Sequence, residues 1–320
     1  MNPISGLHHV TAIASNPQRN LDFYTEVLGL RLVKRTVNFD DPETYHFYFG
    51  SDLGAPGSIL TFFPWAGAPR GTTGTGETSA TAFRAPVHSL DYWLGRLLAA
   101  SIPVEHAGLR FGDPVLRFRD PDGMALEIVG VNQPTDLQPS RWSNVPTEHA
   151  LSGFFGVTLA LRKLEASASV LQTMGFQLLG VEENRHRFVT AGDAPGRIVD
   201  LVADPQGSMA QLGAGSVHHI AFRVTDDADQ LAWSEHLTSA GLHPTPVRDR
   251  VYFHSIYFRE PGGVLFELAT DPPGFTADES AQSMGESLKL PPWIEDHRSL
   301  LEKVLPPVEL PHLRTGALHE

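Results

Sequence analysis

The 320-residue chain contains no cysteine. Disulfides, thiolate metal sites and cysteine nucleophiles are therefore excluded, and histidine, aspartate and glutamate remain as the available metal ligands. A chain without cysteine also suits the reducing cytoplasm, and a cytoplasmic location is our expectation.

Basic residues are scarce and apolar runs are short. Lysine and arginine total 24 against 37 acidic residues, which gives a formal net charge of -13. Nucleic acids and anionic membranes both require a basic protein surface, so we expect neither as a partner. No run is apolar enough to span a bilayer, and no basic leader precedes an apolar stretch, so neither membrane insertion nor export is expected. Small molecules are the expected partners, and a homo-oligomer stays open.

The residues that are present indicate a folded globular protein. Apolar residues make up 41% of the chain and charged residues 19%, which allows a buried core and is too little charge for disorder. A length of 320 residues exceeds one ordinary core. We therefore expect two domains or a set of repeated units.

Four copies of one unit recur along the chain. Each copy has a strand, an amphipathic helical stretch, further strands and a glycine-bearing turn before the last strand. This order predicts an α+β fold built from four βαβββ modules. The opening strands are LHHVTAIA (7–14), SATAFRA (79–85), FFGVTLALR (154–162) and VHHIAFRV (217–224), and the helical stretches cover residues 20–33, 89–103, 165–179 and 228–242.

Polar and charged residues with several prolines replace the apolar pattern over residues 132–149. We interpret this stretch as the boundary between an N-terminal half (1–140, modules 1 and 2) and a C-terminal half (141–275, modules 3 and 4). Residues 276–320 are predicted to form a C-terminal tail. One amphipathic helix within residues 291–307 of this tail is expected to pack on the body.

Two aligned positions of the units carry candidate metal ligands. Histidine occurs at the first-strand position in the first and fourth units only. The first-strand position holds His9, Ala80, Gly156 and His219, and the last-strand position holds Thr61, Glu127, Asp200 and Glu267.

The way in which the modules pair decides whether a metal site forms. If sequential modules pair, His9 meets only Glu127, and the other half has a single histidine. If module 1 pairs with module 4, then His9, His219 and Glu267 converge as a triad that leaves one face of an octahedral ion open. We therefore predict two half-barrel-pair domains, with modules 1 and 4 paired around the metal and modules 2 and 3 paired without metal. Glu127 and Asp200 are then interpreted as remnants that are paired or solvated.

A purely structural interpretation of these residues is the alternative. A lone histidine on a strand is more often structural than a ligand, but two His-His pairs open equivalent strands here, which favours the metal. Glu267 lies within an apolar strand, where an uncompensated carboxylate would be costly.

The chain resembles the ring-cleaving hydroquinone 1,2-dioxygenases of the vicinal-oxygen-chelate (glyoxalase/bleomycin resistance/dioxygenase) superfamily over nearly its whole length. The FYxxVLGL pattern is common to the superfamily, whereas the two His-His pairs and FELATDPPGF are more specific. The similar segments are SGLHHVTAIA, FYTEVLGLRLVKRTVNFDD, YHFYFGSDLGAPGSILTFFPW, NRHRF, SVHHIAF and GGVLFELATDPPGF.

The resemblance implies Fe(II) as the cofactor, held by His9, His219 and Glu267. These ligands also bind Mn, Zn, Ni or Co, any of which purified protein can carry.

The resemblance further implies catalytic roles for His8, His218, Arg250 and Tyr257. Tyr257 is expected to hydrogen-bond a phenolate oxygen, His218 to move a proton, and Arg250 to steady an anionic substrate. Structural alternatives stay open, because Tyr257 could pack in its aromatic strand and Arg250 could pair at the surface. Neighbouring histidines on a strand are also expected to point to opposite faces.

The function implied by the resemblance is Fe(II)-dependent, extradiol-type ring cleavage of a hydroquinone-like aromatic, with insertion of both atoms of O2. Two alternatives are a glyoxalase-like metal-dependent isomerase or lyase and a quinone- or drug-binding resistance protein. Thr61 argues against the first, because lyases of this fold use glutamate there as a fourth ligand. An intact triad argues against the second, because sequestration does not need an open metal face.

Overall fold

The computed structural model describes residues 1–132 and 137–310. Residues 133–136 of the expected boundary and residues 311–320 of the expected tail lie outside the described residues.

Four βαβββ modules follow one another along the chain, which confirms the predicted α+β class. Module 1 consists of β1 (Leu7–Ala14), α1 (Pro17–Asp22), β2 (Arg31–Asn38), β3 (Asp41–Gly50) and β4 (Ile59–Pro64). Module 2 consists of β5 (Glu77–Pro86), α2 (Leu90–Ala99), β6 (Val104–Arg110), β7 (Asp113–Arg119) and β8 (Ala125–Val131). Module 3 consists of β9 (Phe154–Leu161), α3 (Glu165–Thr173), β10 (Gln177–Glu182), β11 (Arg185–Val189) and β12 (Ile198–Ala203). Module 4 consists of β13 (Val217–Val224), α4 (Asp227–Ser239), β14 (Arg248–Asp249), β15 (Phe253–Arg259) and β16 (Leu265–Pro273), and the tail contains α5 (Arg298–Val304).

The strands form two eight-stranded sheets, and each sheet joins modules that are not sequential neighbours. The first has the order β14-β15-β16-β13-β1-β4-β3-β2 and the second β10-β11-β12-β9-β5-β8-β7-β6. Antiparallel pairing of two opening strands holds each sheet together at its centre, β1 with β13 and β5 with β9. The predicted pairing of module 1 with module 4 and of module 2 with module 3 is confirmed. Each sheet takes strands from both sequence halves, and the division at residue 140 stays a prediction.

The first helix is shorter than the sequence pattern indicates. Helix α1 continues as one π-helical turn over Phe23–Val27, and Arg31 already belongs to β2. Between them Gly29 has a φ of 69°, a left-handed conformation that reverses the chain and suits glycine. The helix predicted over residues 20–33 is therefore wrong beyond Val27. In the other three modules the predicted stretches also run past the helix into the following turn, and in module 3 into β10.

One large apolar cluster extends through both sheets and fixes the helices against them. Tyr24, Trp93 and Trp233 are almost fully buried in it, one from the helical segment of each of modules 1, 2 and 4. None of the helices over residues 1–132 and 137–310 is long and apolar enough to cross a membrane.

The tail after β16 covers the edge strand β2. The main-chain N–H of Lys289 donates to the carbonyl of Arg35 at 2.9 Å. The fully buried ammonium of Lys34 forms ion pairs of 2.5 Å with both Asp278 and Glu279. An edge strand that is covered in this way offers fewer unpaired main-chain groups to other chains.

Replacing Lys34 with alanine is expected to lower the free energy of unfolding by about 3–5 kcal/mol, because the change leaves buried carboxylate charge without its cation. Arg298→Ala is the matched control, since Arg298 pairs with Glu295 and Glu302 on the exposed face of the tail. The control is expected to change stability little. Urea unfolding followed by circular dichroism measures both variants, and equal losses would contradict the prediction.

Candidate metal centre

Three buried side chains converge at the centre of the first sheet. His9 on β1 and His219 on β13 place their Nε2 atoms 3.2 Å and 3.0 Å from Oε2 of Glu267 on β16. The two Nε2 atoms are 3.4 Å apart. The convergence follows from the sheet order, because β13 pairs antiparallel with β1 and parallel with β16.

The outer nitrogen of each histidine is held by the preceding residue. Nδ1 of His9 lies 2.9 Å from Nδ1 of His8. Nδ1 of His219 lies 2.8 Å from Nδ1 of His218. When Nδ1 of His9 and Nδ1 of His219 carry the ring hydrogens, both Nε2 atoms present lone pairs to the carboxylate. A neighbouring group that bonds to one ring nitrogen in this way orients an imidazole for metal binding through the other.

With these tautomers the three converging atoms have no hydrogen between them. Oε1 of Glu267 accepts a hydrogen bond from Ser255, but Oε2 has no hydrogen-bond partner among the described residues, despite the short separations from the imidazoles. A buried carboxylate oxygen that faces two lone pairs is costly unless a cation lies between them. The donor set thus fits a divalent metal ion, and two imidazoles with one carboxylate suit Fe, Mn, Co, Ni or Zn.

The local electrostatics favour the metal-binding forms of these groups. Burial alone would raise the pKa of Glu267, but positive charge on His9 and His219 when they are protonated, with hydrogen bonds from their rings, holds that pKa well below its usual range, so positive charge at this point stabilises the carboxylate. Burial lowers the pKa of His219, with Glu267 opposing. A carboxylate and a neutral imidazole are the forms that a metal requires.

Two β-bulges bring the consecutive histidines together. The ladder between β1 and β13 has one extra residue on each strand, His8 on the first and His218 on the second. A bulge re-aims a side chain, so the expected alternation of neighbouring histidines is wrong here. Equivalent bulges occur at Ser79 and Phe155 in the second sheet, which shows that they belong to the fold rather than to the histidines.

A cavity of about 510 Å³ opens above His9 and His219, between modules 1 and 4. This volume lies within the range of small-molecule sites, which are usually apolar with a few convergent polar groups. The apolar walls of the cavity are formed by Phe39, Tyr48, Phe63, Trp65, Phe253 and Leu265.

Three of the four predicted catalytic side chains line this cavity: His218, Arg250 and Tyr257. The Arg250 guanidinium donates to the hydroxyl oxygen of Tyr257 at 3.2 Å and to Asp40 at 2.9 Å. His8 lies elsewhere, packed behind the first metal-facing imidazole. Its ring packs against those of His9 and Phe253, with centroid distances of 5.1 Å to each.

The ionisation of these groups follows from burial. Burial and the charge of His219 lower the pKa of His218 to about 4, so its imidazole is neutral at pH 7. Burial, with the Glu267 carboxylate adding, raises the pKa of Tyr257 and keeps its hydroxyl protonated. Burial would lower the pKa of Arg250, but its neighbour Tyr257 raises it.

Sequence reasoning missed a chain of hydrogen-bonded polar side chains that begins at Tyr48 and His46 on the cavity wall and continues into the buried interior. The Tyr48 hydroxyl lies 2.9 Å from Nδ1 of His46, whose Nε2 lies 2.8 Å from Oγ1 of Thr61. Thr61 in turn donates to Thr11 at 2.9 Å. The available signal was the spacing of Thr11 from His9, since residues two apart on a strand share one face.

The strand registers place the four last-strand residues at equivalent points, as the aligned repeats predict. Each lies opposite a residue two places beyond the first-strand position. The pairs are Thr61 with Thr11, Glu127 with Ala82, Asp200 with Thr158, and Glu267 with Ala221.

Ion pairs occupy the equivalent place in the second sheet. Glu127 accepts two hydrogen bonds from Arg110, at 2.6 Å and 2.9 Å. Asp200 accepts from Arg185 and Arg187, each bond 2.9 Å long. Both carboxylates are buried, so these remnants are paired rather than solvated.

Equivalent positions provide a matched test of metal binding. Glu267→Gln is expected to weaken binding of a divalent metal by more than about tenfold, because it removes the anionic ligand. Glu127→Gln changes the equivalent residue of the second sheet and is expected to lower the melting temperature while leaving the metal content unchanged. Elemental analysis after anaerobic metal loading and desalting measures both, and parent-level metal in Glu267→Gln would contradict the assignment.

Comparisons with known proteins agree with the fold and identify the family. The family model described as the Glyoxalase/Bleomycin resistance protein/Dioxygenase superfamily matches residues 6–128 and 156–268. Glyoxalase I of Zea mays has a TM-score of 0.61 at 14% identity, covering 83% of this chain and 92% of that one, which is a likeness of fold alone.

Relatives of higher identity carry the name of dioxygenases. MhqO of Bacillus subtilis (strain 168), named a ring-cleaving dioxygenase, is 47% identical over 96% of this chain and 98% of that protein. The chlorohydroquinone/hydroquinone 1,2-dioxygenase of Sphingobium indicum is 38% identical over 91% of this chain and 93% of that protein. A crystal structure named for a dioxygenase of B. subtilis superimposes with a TM-score of 0.92 at 46% identity, covering 97% of this chain and 99% of that one. The chain therefore belongs to the glyoxalase/bleomycin resistance protein/dioxygenase superfamily, and within it to the family of these ring-cleaving dioxygenases.

Proposed function

We propose that this protein is an Fe(II)-dependent, extradiol-type ring-cleaving dioxygenase that acts on hydroquinone-like aromatics and inserts both atoms of O2. The observation that carries the proposal is a triad of three ligand atoms, facing a cavity with aromatic walls, in a chain related to a hydroquinone dioxygenase. His9, His219 and Glu267 would hold the metal. Bound there, the ion would supply Lewis acidity toward a phenolate oxygen and O2.

The cavity residues would orient the aromatic substrate. Because Arg250 donates to the oxygen of Tyr257, the hydroxyl hydrogen of Tyr257 stays free to bind an oxygen of the ring. Aromatic walls exclude water from the ring faces. Asp40 bridges to Arg250 across the cavity mouth and holds the guanidinium in place.

His218 is proposed to act on an oxygen atom at the open face. With Nδ1 engaged by His219, its neutral ring carries its hydrogen on Nε2. A pKa of about 4 disfavours the imidazolium at pH 7, so hydrogen-bond donation from Nε2 is favoured over storage of a proton. This refines the proton-transfer role expected from the sequence, and His8 is proposed to support His9.

Oxygen uptake tests the proposal as a whole. Protein reconstituted anaerobically with Fe(II) is expected to consume one O2 per ring cleaved when hydroquinones are added in an oxygen-electrode assay, with catechols as comparison substrates. No uptake with any of these compounds would overturn the proposal. Oxygen-independent isomerisation of a hemithioacetal would instead indicate a glyoxalase-like enzyme, and tight quinone binding without turnover would indicate a binding protein.

Thr61→Glu is expected to keep the metal but reduce oxygen-dependent turnover by more than about tenfold, because a second carboxylate would fill a position of the open face. Thr61→Ser keeps the hydroxyl and serves as the control, with parent-like turnover. Metal content and oxygen uptake are measured on the same preparations. Full activity of Thr61→Glu would show that this position does not face the metal.

Tyr257→Phe is expected to lower kcat/KM for a hydroquinone by about tenfold, since one hydrogen bond to a charged oxygen is lost. Metal content should not change. Tyr252→Phe is the control, because the Tyr252 hydroxyl bonds to Asp278 away from the cavity. Steady-state kinetics measure both, and equal effects of the two variants would contradict a substrate contact for Tyr257.

A further inference from the structure

The polar chain of Tyr48, His46, Thr61 and Thr11 occupies the place where a fourth metal ligand would stand. Thr61 lies at the point equivalent to Glu267, and the other two modules carry a carboxylate there. Thr61 and Thr11 have no solvent exposure. Module 1 thus has neutral hydroxyls, supported from behind by an imidazole, where the other modules have charge.

The last member of this hydrogen-bonded chain, Thr11, lies on β1, one of the two strands that carry the metal-facing histidines. Thr11 is two residues beyond His9, so both side chains lie on one face of β1. Across the antiparallel ladder Thr11 is paired with His219. Its side chain therefore lies on the same face of the sheet as the imidazoles of His9 and His219.

Only one direction of hydrogen bonding is consistent along this chain. Thr61 donates its hydrogen to Thr11, so its oxygen must accept from Nε2–H of His46. Burial, with His9 and His219 adding, lowers the pKa of His46 well below its usual range, so the ring carries a single hydrogen. Nδ1 then accepts from Tyr48, whose hydroxyl keeps its hydrogen because burial raises its pKa.

The last hydrogen of this hydrogen-bonded chain, that of the Thr11 hydroxyl, has no acceptor among the described residues. The Thr11 hydroxyl accepts from Thr61, and among residues 1–132 and 137–310 nothing accepts from it in return. Buried donors are almost always paired, and an unpaired one costs free energy. The Thr11 hydroxyl hydrogen therefore favours a bound molecule that places an oxygen acceptor beside it over one that places a hydrogen-bond donor there.

We propose that His46 is a positioning residue, which sets the Thr61 and Thr11 hydroxyls in one direction so that Thr11 donates to an oxygen of the hydroxylated aromatic bound at the open metal face. The identity of that acceptor rests on the proposed function. The direction of the chain rests on the geometry alone. The Tyr48 hydroxyl donates to Nδ1 of His46, which fixes the ring hydrogen on Nε2. Nε2–H of His46 then donates to Thr61, and this sets the direction of the Thr61 and Thr11 hydroxyls.

The tautomer of His46 can be measured without turnover. Full-length protein labelled with ¹⁵N-histidine and loaded with Zn(II), a diamagnetic ion that suits the same ligands, is examined by long-range ¹H–¹⁵N correlation. His46 is expected to show the neutral Nε2–H pattern at pH 7, and His46→Gln identifies its signals by their loss. Tyr48→Phe is expected to shift the ring toward a mixture of tautomers. An Nδ1–H tautomer or an imidazolium at pH 7 in the parent would overturn the inference.

Two substitutions of His46 separate its two contacts. Glutamine places an amide nitrogen near the position of Nε2 and keeps the donor to Thr61, whereas asparagine reaches only the position of Nδ1. His46→Asn is expected to lower kcat/KM for a hydroquinone about five- to tenfold, the effect of one hydrogen bond, and His46→Gln less than about twofold.

Bound Fe and melting temperature are expected to match the parent in both variants. Parent-like kcat/KM in His46→Asn, or equal losses in both variants, would overturn the positioning role. Absence of turnover in the parent would refute the proposed function instead, and the tautomer measurement would still decide the direction of the chain.

Discussion

A buried carboxylate oxygen that faces two imidazole lone pairs is the constraint on which the rest of the structure depends. Oε2 of Glu267 has no hydrogen-bond partner among the described residues, although Nε2 atoms lie within 3.2 Å of it on two sides. Such an arrangement is costly in free energy unless a cation lies at its centre. The antiparallel pairing of β1 with β13 creates it, because neither strand alone carries two of the ligands.

In the second sheet, the charge of the buried carboxylates at the equivalent positions is compensated without a metal. Its bulges and registers repeat those of the first sheet, but arginines reach the carboxylates at Glu127 and Asp200. At the remaining equivalent position, Thr61 is neutral and needs only hydrogen bonds. One position of the fold therefore accepts a metal ligand, an ion pair or a hydroxyl chain, depending on which donors the neighbouring strands present.

The module order, the pairing of modules and the convergence of His9, His219 and Glu267 could be predicted from the sequence. Repeated spacing aligns equivalent residues, and only one pairing of modules gives two histidines with a carboxylate. The same reasoning could not find His46. Its segment, YHFYFG, has the composition of an ordinary aromatic strand, and its contact with Thr61 depends on the register between β3 and β4.

Two further features escaped prediction for related reasons. The bulges at His8 and His218 depend on pairing between strands about two hundred residues apart, for which local sequence carries no signal. The helix predicted through Val33 failed because apolar spacing alone does not register a left-handed turn such as that at Gly29.

The pairing of the first strand with the thirteenth also determines when the centre can exist during synthesis. His219 is added to the growing polypeptide 210 residues after His9. The contacts between β1 and β13 are therefore non-local, and closing so long a loop costs conformational entropy before these contacts can form. The growing polypeptide carries the first histidine pair without its partners until module 4 follows, and it can capture a metal ion with all three ligands only once residue 267 has been added.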